Sequence, residues 1–549
     1  LKAAVIHEDG VVVSDSNMIF LIDHAWTFEP RDARNQLCQV PGLLTRMAEM
    51  MGFSVHGEVF NHDDDIVNDV ITEMWKYIQT YSSSVGTAEE KVPVWYIMDE
   101  FGTRVQHSDE PTVAMIPFHY LPTATTYTIM WLLQDLDYAD ELTRDYAHNE
   151  RDAVMRKCKL LPWVDADLSD VPTQTNVLPD KSYEERFAYM KETLPEETKI
   201  VEKKSGKLKV FLEYHQKYLT DLEHFEIVDN PEVADVIYCT DHIRDFRLYS
   251  ETRPDVMLGQ FPCEQIIFNK DLFTDIAKRA GKEGKPPAWI PTSFNLLTEF
   301  PQFVSHFKQR EKEGSDLNTW ICRPWNLARG LEIHVTNNLD EIIRLRETPV
   351  PKMVSKYIED PVLFYRDDIK AKVKFDLRFN VLLTSVEPLK LFVCEVFLLR
   401  PFALNNFDDY QQHFTVMNYV DGGTRLKQVN YDDFIPLFEE QNPDFNWKDV
   451  ERELHRCIKE FFKSATSRPA PYGIGNSPQS RSMYGIDAML EWKVDKQTGS
   501  KRMQPVLLEC NYMPENSRAC AHFPDFLNDV FRFLFLGDDV ESCNVHDVN

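Results

Sequence analysis

Two apolar segments near the C-terminal end are each interrupted by a carboxylate: Asp487 in YGIDAMLEWKV (residues 484–494) and Glu509 in PVLLECNYMP (residues 505–514). Both read as strands, and a buried Asp or Glu in a strand is expensive unless a partner compensates its charge. Asn511 lies two residues beyond Glu509, so the period-two alternation of a strand places both on one face. Taken singly, either carboxylate is accounted for by a salt bridge. Together, two carboxylates and an amide oxygen are the hard oxygen ligands that Mg²⁺ takes while it bridges phosphates. In KAKVKFDLRFNVLLTS (residues 370–385), Lys374, Asp376 and Arg378 alternate with Phe375, Leu377 and Phe379. One face is then charged and the other apolar. A charged row suits polyphosphate, and on an edge strand it is equally an ordinary solvated face.

Three further segments are weaker by themselves. TWICRPWNLARGLEI (319–333) reads as a strand, a loop with Arg329 and Gly330, and a second strand. That loop can fold over phosphates through backbone N–H groups, or be a plain hairpin. PKMVSKYIEDPVLF (351–364), with Ser355, Lys356, Tyr357 and Ile358, suits a hinge strand beside an adenine edge, or simply a strand. LGQFPCEQIIFNKDLF (258–273) places Lys270 and Asp271 at a helix start.

Around these lie 549 residues, enough for three or four domains' worth of core at ~150 residues each. At 43% hydrophobic and 12% aromatic residues, disorder is excluded. A formal charge of −29 makes the chain a poor general binder of nucleic acid or anionic membrane, although a local basic cleft remains open. The ten cysteines form no CxxC pair, which predicts reduced thiols and neither a disulfide framework nor a zinc ribbon. The most apolar run, 389–399, is broken by Lys390 and Glu395, so no membrane span is expected. The sequence starts at Leu1, and a targeting signal further upstream would be invisible in it.

The patterns predict a mixed first domain over 1–161. It has a hairpin around Asp9-Gly10, strands near 18–22, 94–98 and 113–116, helices over 31–51 and 65–81, and an apolar segment at 127–133 that suits strand or helix. Residues 162–208 are polar and Pro-rich and read as a linker; 464–482 reads as a mobile loop. From residue 209 onward strands and helices alternate, the mark of an α/β (α+β) architecture.

The order of these segments resembles an ATP-grasp ligase, and more closely the tubulin tyrosine ligase-like family, from about Lys209 to the end. The family pattern runs F-P…R-K-D-x-L, W-I-x-K-P with R-G-x-G-I, Q-x-Y-I, K-F-D-x-R, Y-R-E-G, H-L-T-N, G-x-D and L-x-E-x-N. The resemblance implies ATP and Mg²⁺ as cofactors and acidic tubulin tails as partner. It implies subdomains at 209–290, 291–400 and 401–549. By it, Asp487, Glu509 and Asn511 bind the metal; Lys270, Arg323, Arg329, Gly330, Lys374 and Asp376 meet phosphates; and Ser355 to Ile358 line the adenine. Arg378 holds the acyl-phosphate region. This chain also departs from the pattern. Arg323 stands for the Lys of W-I-x-K-P, Glu332 for the second Gly of R-G-x-G-I, Ser355 for the hinge Gln, Glu395 for the Arg of Y-R-E-G, and Val416 for the Asn of H-L-T-N, in which His413, Phe414 and Thr415 persist. Leu399-Arg400 follows the fourth motif in register.

In the first domain, DELTRDYA (140–147) is similar to a closing motif of SET methyltransferases, and Asn61-His62 echoes their N-H-S; the cofactor glycine motif is absent. This predicts a SET-like scaffold without methyl transfer. Three functions follow as expectations: a degenerate ligase-like protein that binds tubulin and regulates tail modification (tyrosination, detyrosination, glutamylation); an active ATP-dependent amino-acid ligase; or a scaffold or chromatin-linked regulator acting through the SET-like domain. The expected place is the cytoplasm, at microtubules or the centrosome, with the nucleus left open.

Overall fold

The computed structural model describes residues 2–549 except 58–59, 83–92, 124, 197–205, 283, 315–317, 326–331, 349, 369, 403–428 and 496–497. Four long antiparallel strands form the backbone of the C-terminal half, in the order Lys390–Phe402, Ala371–Ser385, Ser482–Val494, Lys501–Tyr512. Three short strands complete a seven-stranded sheet. The alternation predicted around Lys374 holds. Phe375, Leu377 and Phe379 enter a large core with Trp447, Leu454 and Phe461. The last three lie on one face of the Trp447–Ala465 helix, whose buried positions recur every three or four residues. Asn446 caps that helix by accepting the Lys448 N–H at 2.9 Å. Burying each Phe contributes about 2–3 kcal/mol, which fixes the strand's facing. Lys374, Asp376 and Arg378 are left on the other side.

Two smaller sheets flank this one. A parallel sheet has the order Phe225–Ile227, Leu208–Leu212, Val236–Tyr238, Met257–Leu258. An antiparallel sheet has the order Ser293–Asn295, Lys352–Lys356, Trp320–Pro324, His334–Thr336. A helix does begin at Lys270, and it ends at Arg279.

In the first domain several expectations change. The 31–51 helix is two helices, Ala33–Gln39 and Leu43–Met51, parted at Pro41 and Gly42, where Gly42 takes a φ of 76°. Gly52 does close the second helix. The 65–81 helix stops at Glu73; after a 3₁₀ turn, Ile78–Tyr81 pairs with Val94–Met98 as a strand. Cross-strand packing there overrides the helical spacing. Val5 and Val11 do not form a hairpin with each other. Instead Ala4 bridges to Glu141 and Val11 to Leu136. Residues Thr125–Leu132 are a strand between Ile19–Ile22 and Val113–Tyr120.

The first domain shares one continuous core with the central antiparallel sheet. Trp26, Trp75 and Trp95 on one side meet Phe294, Phe303 and Trp320 on the other. Across the same seam Asn338 Nδ2 donates to the Thr72 carbonyl at 3.0 Å.

Residues 162–208 are not a free tether in their described part. They contain the helix Asp180–Met190. The Leu178 N–H and the Tyr183 hydroxyl both donate to Asp275 at 2.6 Å, and the Ser305 hydroxyl donates to the Val171 carbonyl at 2.9 Å. Likewise 464–482 is a packed segment. The Gly475 N–H reaches the Pro262 carbonyl at 2.7 Å, and Gln479 Nε2 reaches the Val256 carbonyl at 2.7 Å. A Cβ at Gly475 would meet Pro262 at 2.8 Å. Polarity suggested solvent in both segments, but their polar groups are spent on other parts of the chain. All ten cysteines are free thiols, and among the described residues no helix is long and apolar enough to cross a membrane.

Candidate functional site

Strand register assembles the site. Arg378 lies opposite Asp487, Asp487 opposite Glu509, and Asp376 opposite Arg400. The pairing shifts immediately beyond Asp487, with Leu508 as the extra residue. Arg378 grips Asp487 with both ends of its fork, Nε and Nη2 each 2.7 Å from a carboxylate oxygen. Arg400 does the same to Asp376, at 2.7 Å twice, and its Nη2 also lies 2.7 Å from Asp487 Oδ2. Gly485 makes room for this arrangement: a Cβ there would meet Pro514 at 2.9 Å and the Arg378 Cδ at 3.7 Å. Burial pushes the Asp376 carboxyl up, Arg400 opposes this, and the Asp487 charge adds to the rise. Burial also works against the Asp487 charge, but Arg400 and Arg378 together hold its carboxyl down. Asp487 is therefore the more acidic of the two carboxyls.

Asn511 Nδ2 is 3.3 Å from Glu509 Oε1 and 3.5 Å from Asp487 Oδ2, so the three residues stand side by side. Burial lowers the proton affinity of both Lys270 and Arg323, while the Glu509 charge raises it. Two cations thus flank Glu509, and the Arg323 Nε is buried with no hydrogen-bond partner among the described residues. Lys374 is buried and donates to the Tyr357 hydroxyl at 2.9 Å. These groups fit a Mg²⁺-bound polyphosphate: Asp487, Glu509 and a turned Asn511 amide on the metal, with Lys270, Arg323 and Lys374 for phosphate oxygens. Among the described residues no three His, Cys, Asp or Glu side chains converge as a metal site.

The hinge strand is bonded inward. The Ser293 hydroxyl donates to Ser355 at 2.8 Å, and Lys356 Nζ donates to the Thr319 carbonyl at 3.0 Å and pairs with Glu359. Ile358 packs with Met489 and Val506.

Two residues sit otherwise than the sequence suggested. The Glu332 carboxylate is buried against Lys352 Nζ at 3.2 Å. Its φ of 55° keeps the left-handed backbone for which the family motif uses glycine. Glu395 is exposed and does not join the carboxylate cluster. Its N–H donates to the Asn544 carbonyl at 2.9 Å, and its charge acts on Tyr431 and Glu451. Arg400, five residues further along the strand, brings the second guanidinium. In the sequence Arg400 is visible only as a residue in register after the fourth motif, although a buried Asp376 calls for just such a partner. Arg329, Gly330 and residues 413–416 lie outside the described residues.

In the first domain, the Tyr146 hydroxyl donates to the Val105 carbonyl at 3.0 Å. The Asn61 N–H donates to Asp64 at 2.8 Å in the turn before the Asp65–Glu73 helix.

Comparison with known proteins agrees with this architecture. A family model described as the tubulin tyrosine ligase SET-like domain matches residues 1–167, and one described as the tubulin-tyrosine ligase family matches residues 248–546. Tubulin–tyrosine ligase-like protein 12 of Mus musculus is 50% identical over 99% of this chain and 85% of its own length. The protein of that name from Caenorhabditis elegans is 34% identical over 97% of this chain and 88% of its own. Tubulin glycylase 3E of Tetrahymena thermophila is 28% identical over 52% of this chain and 20% of its own. With an N-terminal SET-like domain packed on the central antiparallel sheet, and a longer sheet beside it that lines up the K-x-D-x-R, G-x-D and E-x-N residues, the chain belongs to the tubulin-tyrosine ligase family.

Proposed function

We propose that this protein binds tubulin and regulates the modification of tubulin tails, holding ATP and Mg²⁺ weakly and transferring amino acids inefficiently or not at all. The observation that carries the reading is the contrast within one site. The Asp487, Glu509, Asn511 trio is in place, while the hinge and the phosphate side are altered. Ser355 spends its hydroxyl contact on Ser293. Lys356 spends its ammonium on Glu359 and a carbonyl, and Glu332 draws Lys352 into a buried pair. When bound, Mg²⁺ would neutralise phosphate charge so that a carboxylate could be activated. The chain's own residues would do the rest. Asp487 and Glu509 would hold the ion, Lys270, Arg323 and Lys374 would fix the phosphates, and Arg378 and Arg400 would turn from the carboxylates toward developing negative charge.

Acidic tails would meet Lys372 and Lys370, exposed where the Lys374 strand begins. Lys370 is already paired with Asp367 at 2.8 Å, so the attraction is modest and salt-sensitive. The cytoplasm, at microtubules, is the place this reading implies.

The second reading, an active ligase of altered specificity, is favoured by Arg400, which supplies a guanidinium at the carboxylate cluster despite Glu395. One experiment separates the two: purified full chain, tubulin, ATP and labelled tyrosine, glutamate or glycine. Salt-sensitive co-sedimentation without incorporation supports the first reading. ATP-dependent incorporation that falls on Asp487→Ala overturns it in favour of the second.

A further inference from the structure

A cleft of about 380 Å³ opens where the first domain meets the central subdomain. Its lining carries four cations, Arg144, Lys159, Arg344 and Arg346, and two carboxylates, Asp145 and Glu347. Some of these are spoken for. Asp145 takes both ends of Arg156, at 2.8 and 2.9 Å, and Lys159 pairs with Glu150 at 2.8 Å. Three guanidiniums then face the single carboxylate of Glu347, which accepts from Arg344 Nη1 at 2.8 Å. In a chain of net charge −29, this local cationic excess cannot be a by-product of composition.

The guanidiniums are also held in place. Arg144 lies over the Tyr146 ring at 4.7 Å and Arg344 over the Trp163 ring at 5.1 Å. Arg344 Nη2 is anchored on the Ile78 carbonyl. Arg144 Nη1 donates to the Gln79 amide oxygen at 3.4 Å and its guanidinium also reaches the Tyr146 hydroxyl, both neutral acceptors, and it forms no ion pair among the described residues. The Nε atoms of Arg144 and Arg344 are both buried and have no hydrogen-bond partner among the described residues. Like charges brought together out of water are unfavourable unless an anion lies between them.

We propose that this interdomain cleft is a binding site for a small dianion, a phosphoryl group or a dicarboxylate, clamped by Arg144 and Arg344 with Arg346 at its side. Both ligand types present paired oxygens that match the planar forks. The positive cleft repels a lysine ammonium, although Tyr146 stands in its wall. Because Arg144 belongs to the first domain and Arg344 and Arg346 lie at the end of the helix between the His334–Thr336 and Lys352–Lys356 strands of the central sheet, a bound dianion ties the two parts together.

The test is calorimetry on the full chain at low ionic strength, with inorganic phosphate and, separately, succinate. Saturable binding of either, weakened about tenfold or more by Arg144→Gln through loss of a charge-assisted fork, supports the site. Binding of both points to any dianion; binding of phosphate alone points to a phosphoryl group. If Arg144→Gln fails to fold by circular dichroism, Arg346→Gln must weaken binding by about threefold or more. Absence of saturable binding, binding indifferent to both substitutions, or phosphate binding lost instead on Lys374→Ala would overturn the proposal.

Discussion

Replacing Glu264 by Gln should make the protein markedly more resistant to unfolding above neutral pH and leave it almost unchanged at pH 5. Glu264 is 3% exposed, and one of its oxygens accepts the Phe261 N–H at 2.8 Å and the Tyr484 hydroxyl at 2.7 Å. Burial pushes its carboxyl up to about 8, against those two hydrogen bonds and with the help of the nearby Glu192 charge. The folded protein therefore keeps a proton that the unfolded chain releases. A raised carboxyl of this kind leaves stability intact below the unfolded value of 4.5 and erodes it as pH climbs toward about 8. At 1.36 kcal/mol per pH unit the full window is worth about 5 kcal/mol. Water penetration brings the realised figure nearer 2–3 kcal/mol. Gln keeps the acceptor and does not titrate. Urea unfolding of parent and variant at pH 5, 7 and 8.5 should give curves that diverge as pH rises. Parallel curves would refute the argument, because then Glu264 has the same proton affinity folded and unfolded. Tyr484 lies three residues before Asp487 on the same strand, so this buried contact also helps seat the carboxylate strand.

Asp487→Asn should destabilise the fold by about 3–5 kcal/mol in urea melts, since it strands Arg378 in a buried site and leaves Arg400 to Asp376 alone; a loss below 1 kcal/mol would show that water reaches the pair freely. Trp75→Ala should cost about 3–5 kcal/mol and, by opening the core shared by the first domain and the central sheet, split a single unfolding transition into two; an unchanged single transition would contradict the shared core. The first domain should show no saturable binding of S-adenosylmethionine by calorimetry, because Tyr146 spends its hydroxyl on the Val105 carbonyl; binding lost on Tyr146→Phe would overturn this.

Much of the candidate site was legible in the sequence because strand geometry is periodic. Lys374, Asp376 and Arg378 had to share a face once Phe375, Leu377 and Phe379 were buried, and Glu509 and Asn511 had to share another. The order of motifs then identified the family without any knowledge of contacts. What periodicity cannot supply is the partner of each charge. Only the pairing of the Lys390–Phe402 strand with its neighbour put Arg400 opposite Asp376 and left Glu395 outside. Only the packing of the central sheet turned Glu332 onto Lys352. The same limit explains the strap at 162–208 and the segment at 464–482. Composition counts polar groups but does not say whether water or the protein satisfies them, and here Asp275, Pro262 and Val256 do. The sequence by itself determined the strands, their faces and the family, because these depend on residues a few positions apart. The tertiary structure decided which charges neutralise one another and how the two domains share a core, because those contacts join residues 20 to 266 positions apart, beyond the reach of local periodicity.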